Sequence, residues 1–381
     1  MIRRFLIALT ALVMLFSLGL CDEKNDKLPE NFVFFINIGD GDAIILRLNG
    51  KTYMIDTGRK QEIVRLYAAL NFLKLDKIDG LFITHSHKDH VGGIKALTGK
   101  LDVKNSYIAG FGFLDKNSRF KTEEILKKNG INPKRLKAGD KIYLSDDEKD
   151  YFEVLAPLYY DEFDDNDNSL VLMLTFKGKR LLFAGDMQFN EEESLLNAKT
   201  PLKADVLKVG NHGNRDATSK AFVEAVSPDI SVISTDTLAA PKSASDEALR
   251  NLSASKIYIT ENAELGYMLN LDEGELQIKD IARPKTEEYK KLKLYIENEK
   301  LWLEALLDVE IDKPLLYFKE KGEIVSIGQI KLKAGEKLSI GKNGDIELDT
   351  KRYFIKKRID KLVLFDENGN ELASVIKKPM N

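Results

Sequence analysis

Apolar and polar positions along the chain alternate in short runs with strand spacing, separated by stretches with helical spacing. Residues 32–38 form an apolar run closed by Gly39-Asp40-Gly41-Asp42, and residues 43–48 form a second run. Asn49-Gly50 is a hairpin signal, and residues 51–55 return as a third strand that ends in Asp56-Thr57-Gly58. Residues 61–73 put Ile63, Leu66, Leu70 and Leu73 on one helical face. Leu81 to Ile83 read as a buried strand, and a helix is predicted from Ile94. A strand at 106–109, a helix at 122–129 and strands at 141–144 and 152–156 complete a first half.

The second half repeats the logic. Residues 170–176 turn at Lys177-Gly178 into 180–184, and this hairpin ends in Gly185-Asp186. Helices at 190–198, 219–226 and 246–252 then alternate with strands at 206–209, 230–234 and 256–260. Hairpins followed by strand–helix alternation, twice over, predict an α+β fold. Its expected form is a four-layer αββα sandwich over residues 31–282, with a site at one edge of the two sheets. Past Asp280 the texture changes. Residues 283–312 are charged and predict a linker with a short helix. Residues 313–381 read as a small all-β domain of strands at 315–318, 324–327, 337–340, 345–348, 361–365 and 371–376. Residues 334–340 and 361–369 resemble a lamin-tail type sandwich in their turn chemistry.

The N-terminus is built differently. Arg3-Arg4 precede an uncharged run from Phe5 to Leu20, short for a membrane span and suited to a signal-peptide core. Cys21 stands at its end, and a polar tether fills residues 22–30. The pattern resembles a bacterial lipoprotein signal with Cys21 as the lipidated residue, although Leu20 replaces the usual small residue before it. This predicts an exported protein held at the outer side of the cell membrane or in the periplasm. Cys21 is the only cysteine, so no disulfide can form within the chain. Charged residues make up 31% of 381 and cancel to −3, which by itself demands neither a polyanionic nor an acidic partner.

Histidine usage changes the picture most. The chain has four histidines, and three of them, His85, His87 and His90, fall with Asp89 inside six residues at the end of the strand at 81–83. Imidazole and carboxylate suit zinc, iron or manganese. A strand end held by a turn can converge such groups on a small volume, whereas solvated histidines on a polar loop would have no reason to cluster. The fourth, His212, closes another predicted strand in Gly210-Asn211-His212-Gly213.

The His85-Ser86-His87-Lys88-Asp89-His90 arrangement resembles the signature of the metallo-β-lactamase fold superfamily. That resemblance implies two divalent ions, zinc or manganese. His85 and His87 with Asp186 would hold one, and Asp89, His90 and His212 with the bridging Asp186 would hold the other. Asp89 and His212 are thereby also the candidate catalytic residues, and Asp56 would lie under the loop and orient a ligand. Gly41-Asp42-Ala43-Ile44, Asp56-Thr57-Gly58, Asn168-Ser169-Leu170-Val171-Leu172, Gly185-Asp186 and Lys208-Val209-Gly210-Asn211-His212-Gly213 are similar, in that order, to the metallo-β-lactamase domain of ComEC-like competence proteins. In that group Asn168 takes the place of a third ligand histidine.

This narrower resemblance implies a phosphodiesterase or nuclease that uses a hydroxide activated by two metals, with nucleic acid or another phosphodiester as partner. Lys208 and Arg215 are candidate phosphate contacts. Two departures stand out: Asn211 occupies a position where a histidine is common, and Ala240-Pro241 occurs where His-Pro is usual. They leave open a cell-surface binding protein with a degenerate site. A lactonase or β-lactamase-type hydrolase is the remaining alternative, and Asn168 argues against it.

Overall fold

The structure is a computed structural model. It describes residues 28–377 apart from 111–121, 129, 273, 286–289, 298–299, 320 and 349–359. The expected signal segment and Cys21 lie outside the described residues.

Two large sheets face each other. The eight-stranded sheet runs Gln277–Ile281, Gly266–Asn270, Phe32–Ile36, Ile44–Leu48, Lys51–Ile55, Gly80–Ile83, Ser106–Ala109, Pro133–Leu136. The seven-stranded sheet runs Lys256–Ile259, Ile230–Ile233, Val206–Lys208, Lys179–Phe183, Val171–Phe176, Tyr151–Ala156, Lys141–Tyr143. Strand alternation sorts side chains between layers. Val33 and Phe35 point into the apolar layer between the sheets, while Phe32, Phe34 and Ile36 pack under the helices outside the first sheet. A third layer, including Leu182, Leu207, Phe222 and Leu252, lies between the second sheet and its helices. Both faces of each central strand are therefore covered, which is why the sequence shows continuous apolar runs there. The fold is the α+β, four-layer αββα sandwich.

Several strands depart from the sequence reading. Residues 266–270 and 277–281 extend the first sheet beyond Phe32–Ile36. Residues 283–312 are not a helical linker where they are described. Leu292–Glu297 pairs antiparallel with Lys300–Ala305, which pairs in turn with Lys337–Gly341. A second four-stranded sheet runs Glu323–Ser326, Leu315–Phe318, Asp360–Phe365, Glu371–Lys377. One core containing Leu301, Leu303, Leu316, Phe318, Leu362 and Leu364 serves these strands.

Parallel strand pairing brings the functional ends together. Lys51–Ile55, Gly80–Ile83 and Ser106–Ala109 are parallel neighbours in the first sheet, as are Lys179–Phe183, Val206–Lys208 and Ile230–Ile233 in the second. Their carboxyl ends lead into Asp56, His85, Asp186, His212 and Ser234. Loops at this edge can therefore pool polar side chains while the strands hold them in register.

Candidate metal centre

The metal-loop turn is shaped by glycine. After Ile83 the chain runs through His85 and His87 into the short helix Lys88–Val91, and then Gly92-Gly93. A Cβ on Gly92 would lie 2.4 Å from the Lys60 nitrogen, and one on Gly93 would lie 2.3 Å from the Thr57 carbonyl oxygen. Neither contact is physically possible without displacement, so the two glycines let the turn sit directly on the Asp56-Thr57-Gly58 segment. Thr57 locks it there: its N–H and its hydroxyl donate to the His90 carbonyl at 2.7 and 2.8 Å. His212 is placed by a different device. Asn211, His212 and Gly213 have φ of 42°, 54° and 71°, a left-handed run that costs energy at the two non-glycine residues.

The imidazoles are oriented from behind. His90 Nδ1 lies 2.8 Å from Asp56 Oδ2, and His212 Nδ1 lies 2.8 Å from the Ser234 carbonyl. Thr84 Oγ1 is 3.1 Å from His85 Nδ1. In each case the Nε2 faces inward. His90 Nε2 is 3.1 Å, His212 Nε2 is 3.3 Å and His85 Nε2 is 3.8 Å from Asp186 Oδ2, and His212 Nε2 is 3.6 Å from Asp89 Oδ2. The three Nε2 atoms and Asp186 Oδ1 are buried and make no hydrogen bond.

Orphaned polar atoms in a dry interior are costly, and four of them converge on one point. Two overlapping groups result: Asp89, His90, Asp186 and His212; and His85, His87 and Asp186. Within each group the potential ligand atoms lie within 4.8 Å of one another. This donor set, imidazole nitrogens with two carboxylates and a shared Asp186, fits two divalent ions of the borderline class. A third group, Asp42, Asp56 and His90, is a hydrogen-bond and ion-pair network, because Asp56 is committed to His90 and Asp42 to Lys208.

Charge in the centre is strongly coupled. Burial disfavours every ionised form, yet Asp186 is held well below the usual carboxylate range by attraction to His212 and His90. Burial likewise opposes the imidazolium of His90 and His212, and their carboxylate partners outweigh it and hold both well above the ordinary range. His85 goes the other way: burial and repulsion by His90 push it well below. Burial works against ionised Asp89, but attraction to His212, 3.6 Å away, and to His90 keeps it low.

Three expected site residues do different work. Asn168 spends its amide on the acidic loop: its carbonyl accepts from the Asp161 N–H at 2.9 Å, and its NH₂ donates to the Asp161 and Asp164 carbonyls at 2.7 and 3.3 Å. It shapes residues 161–168. Lys208 is 1% exposed and its Nζ lies 2.5 Å from Asp42 Oδ2, so it is enclosed where a substrate cannot reach it. Arg215 is exposed on the loop after His212 and is not among the residues that line the cleft. Asn211 donates through its amide to Asp216 at 2.8 Å, which braces the loop that carries His212.

Two cations were not read from the sequence. Arg59 pairs with Asp40, and its Nη2 lies 3.7 Å from Asp89 Oδ2. Arg59 and Lys242 both line the cleft of about 370 Å³ over His87, Asp89, Asp186 and His212. Arg59 follows the Asp56-Thr57-Gly58 turn directly, a signal the sequence did carry. Lys242 sits beside Ala240-Pro241, noted only for a missing histidine.

Residues 36–237 match the Metallo-beta-lactamase superfamily. The chain belongs to this superfamily. It is similar to ComE operon protein 3 of Bacillus subtilis (30% identity, 54% of this chain and 28% of that protein) and to competence protein ComA of Neisseria gonorrhoeae (28% identity, 57% and 29%). The chain thus spans less than a third of the length of these relatives. Among solved structures it is similar to CmlA, a diiron β-hydroxylase from Streptomyces venezuelae (13% identity, TM-score 0.45, 67% of this chain and 55% of that one). It is likewise similar to a diphosphatase of the PhnP family (13% identity, TM-score 0.39, 67% and 100%).

Proposed function

We propose that the chain is an exported, metal-dependent hydrolase that cleaves phosphodiester bonds, with a nucleic acid strand as the substrate class. The observation that carries this reading is the convergence of three inward imidazole Nε2 atoms on Asp186, with those three nitrogens and Asp186 Oδ1 buried and making no hydrogen bond. His85, His87 and Asp186 would hold one divalent ion, and Asp89, His90, His212 and Asp186 the other. When bound, such a pair supplies Lewis-acid charge and lowers the pKa of water.

The chain's own residues do the rest. Asp56 and the Ser234 carbonyl fix the tautomers of His90 and His212, so that Nε2 carries a lone pair. Arg59 and Lys242 give the cleft positive charge at its rim, suited to phosphate oxygens. Asn211 has no titratable proton, so protonation of a leaving alkoxide falls to water. Similarity to a protein named for competence supports a nucleic acid strand over a lactam or lactone, as does Asn168 in place of a ligand histidine. A cleft of about 370 Å³ is small for a folded polymer and adequate for one backbone phosphate with its neighbours. The charged start and apolar run before Cys21 support export with a lipid anchor. Among the described residues no helix is long and apolar enough to cross a membrane.

The test is metal content and cleavage measured side by side. The purified protein should carry close to two divalent ions per chain and cleave single-stranded DNA, RNA or bis(p-nitrophenyl) phosphate. Asp186→Ala should lose metal and more than about 100-fold of that activity, since even indirect partners of ligands contribute 10- to 100-fold. Full metal occupancy with hydrolysis of lactams or lactones only would replace the phosphodiester reading. Absence of metal after reconstitution with zinc and with manganese would remove the hydrolase reading altogether.

A further inference from the structure

Two loops border the metal cleft, and each carries a bare apolar side chain. Asn166, on the loop after Tyr151–Ala156, and Ala240 to Ser243, on the loop after Ile230–Ile233, line the same cleft as His87, Asp89, Asp186 and His212. Among the described residues Phe163 and Leu238 are the most exposed large hydrophobic side chains, at 91% and 93%; the next, Ile376 in the β domain, is at 63%. Phe163 stands three residues before Asn166, and Leu238 stands two before Ala240. Chain geometry therefore keeps their Cα atoms within roughly 11 and 7 Å of those cleft residues. A lone exposed apolar side chain is ordinary, but here the two extreme cases fall on the two loops of one cleft.

Neither residue sits on a loose end. Asp161 Oδ1 accepts from the Phe163 and Asp164 N–H groups at 2.7 and 3.0 Å, and Asp165 Oδ2 accepts from the Ser86 N–H at 3.1 Å, between His85 and His87. On the other loop the Leu238 N–H donates to Asp236 Oδ1 at 3.1 Å. The Thr237 N–H and hydroxyl donate to Glu261 at 2.7 and 3.0 Å. Both side chains are thus held out in water by loops that are ordered before a ligand arrives, which lowers the cost of binding. The loops differ in charge. Lys242 stands on the Leu238 loop, whereas Phe163 is set among Asp161, Glu162, Asp164 and Asp165. A phosphate is drawn to the lysine and repelled by the acidic loop. What can approach Phe163 is a flat, uncharged group attached to that phosphate, and a nucleobase is such a group.

We propose that Phe163 stacks on an unpaired base of the substrate strand, that Leu238 makes an apolar contact with a neighbouring nucleotide, and that the two select single strands over duplex. This rests on the phosphodiester reading of the cleft. Every base has a π-face, so stacking holds a strand without reading its sequence. In a duplex those faces are covered by neighbouring base pairs, and a side chain on a loop tip cannot reach them.

The test uses metal-loaded full chain and a fluorescent single-stranded oligonucleotide with phosphorothioate linkages, which slow its cleavage, beside the same sequence as a duplex. Binding is followed by anisotropy. The parent should bind the single strand more tightly than the duplex. Phe163→Ala should weaken single-strand binding about 5- to 150-fold, the usual range for a lost stacking contact, with metal content unchanged. Phe163→Trp should retain it, Leu238→Ala should weaken it by a smaller factor, and Ile376→Ala should leave it as it is. The proposal is overturned if the parent does not bind the single strand, if Phe163→Ala or Leu238→Ala binds it as the parent does, or if duplex binding falls equally. It is also overturned if Phe163→Ala instead loses affinity for phosphatidylglycerol–phosphatidylcholine vesicles, which would assign the exposed side chains to a membrane surface. Hydrolysis of bis(p-nitrophenyl) phosphate by the parent separates this inference from the reading beneath it. Hydrolysis without strand binding overturns the stacking proposal alone; strand binding that depends on Phe163 without hydrolysis overturns the hydrolase reading alone.

Discussion

His90 gains its role through the nitrogen that does not face the centre. Asp56 holds Nδ1 at 2.8 Å and also accepts from the Thr84 N–H and hydroxyl at 2.8 and 2.7 Å. Asp56 itself has φ of 56°, a region that asparagine tolerates well. Asp56→Asn therefore adds no backbone strain and removes only the charge and one acceptor. The new amide would donate to His90 Nδ1, which moves the ring proton to Nε2 and takes away the lone pair a metal needs. Metal affinity should fall about 10- to 100-fold, measured by competition with a chelator, while the melting temperature of the metal-free protein changes little. An unchanged affinity would mean that Asp56 only supports Thr84.

A second residue-scale effect lies away from the centre. Glu191 is buried; its Oε1 accepts from the Leu158 N–H at 2.7 Å and its Oε2 has no partner. Burial pushes its carboxyl up to about 7 from 4.5, with repulsion by Asp167 and Asp161 adding to it against the Leu158 hydrogen bond. Between these two pH values the folded chain holds the proton and the unfolded chain does not. Stability from this group is therefore lost as pH rises from about 4.5 to about 7, and the loss is complete above that. Glu191→Gln, a neutral isostere, should be stabilising by on the order of 1–3 kcal/mol at pH 8 and near neutral at pH 5. Urea unfolding at the two pH values checks this; an equal effect at both would place the cause in packing instead of ionisation.

At the scale of elements, glycine decides whether the metal-loop turn can dock. Gly93→Ala forces a Cβ to within 2.3 Å of the Thr57 carbonyl and should cost about 1–3 kcal/mol as overpacking, with metal content falling because His90 moves. Gly99, in the helix Ile94–Lys100, has nothing within 4 Å of its would-be Cβ. Gly99→Ala should instead stabilise by about 0.4–1 kcal/mol through the unfolded state. Thermal melts of the pair separate the two roles, and a destabilised Gly99→Ala would contradict the open space around it. Elements with one clear period were legible in the sequence. Ser106–Ala109 and Leu315–Phe318 have the same bounds in both readings, because apolar runs bounded by turn residues leave few alternatives. Leu292–Glu297 and Lys300–Ala305 were hidden by their solvent faces. Leu292, Leu294, Leu301 and Leu303 are buried at period two, but the intervening charges make the segment read as a polar linker. Pro133–Leu136 is an edge strand with its middle two residues exposed, and it carries almost no apolar signal. The place of Asn168 was legible from family resemblance, whereas the use of its amide was not: three backbone groups of one loop satisfy it, and only the folded loop reveals them.

At the scale of the whole molecule, the β domain is a second core docked on the body largely at the helix Ile63–Phe72. Tyr317 packs with Ile63 and Val64 in an apolar cluster apart from either main core, and its hydroxyl donates to the Gln61 carbonyl at 2.5 Å. Asn71 donates to the Glu367 carbonyl and Arg283 to the Gly369 carbonyl at the same junction. A Cβ on Gly369 would stand 2.9 Å from Ala68, so that turn lies flat on the helix Ile63–Phe72. This junction couples two cores that each have enough buried apolar surface to fold separately. The chain has one tryptophan, Trp302, and it lies in the β domain strand Lys300–Ala305. Its fluorescence therefore reports that domain alone, while calorimetry reports the whole chain. In the parent protein the two should melt together. Tyr317→Ala removes the ring and the hydrogen bond, at a cost of about 3–5 kcal/mol by analogy with other aromatic truncations. The Trp302 transition should then separate from the main calorimetric peak and move to lower temperature, with metal content unchanged. Coincident transitions in the variant would mean that the Asn71 and Arg283 contacts suffice to couple the domains. Loss of metal with Tyr317→Ala would mean that docking of the β domain also shapes the turn that carries Asp89 and His90.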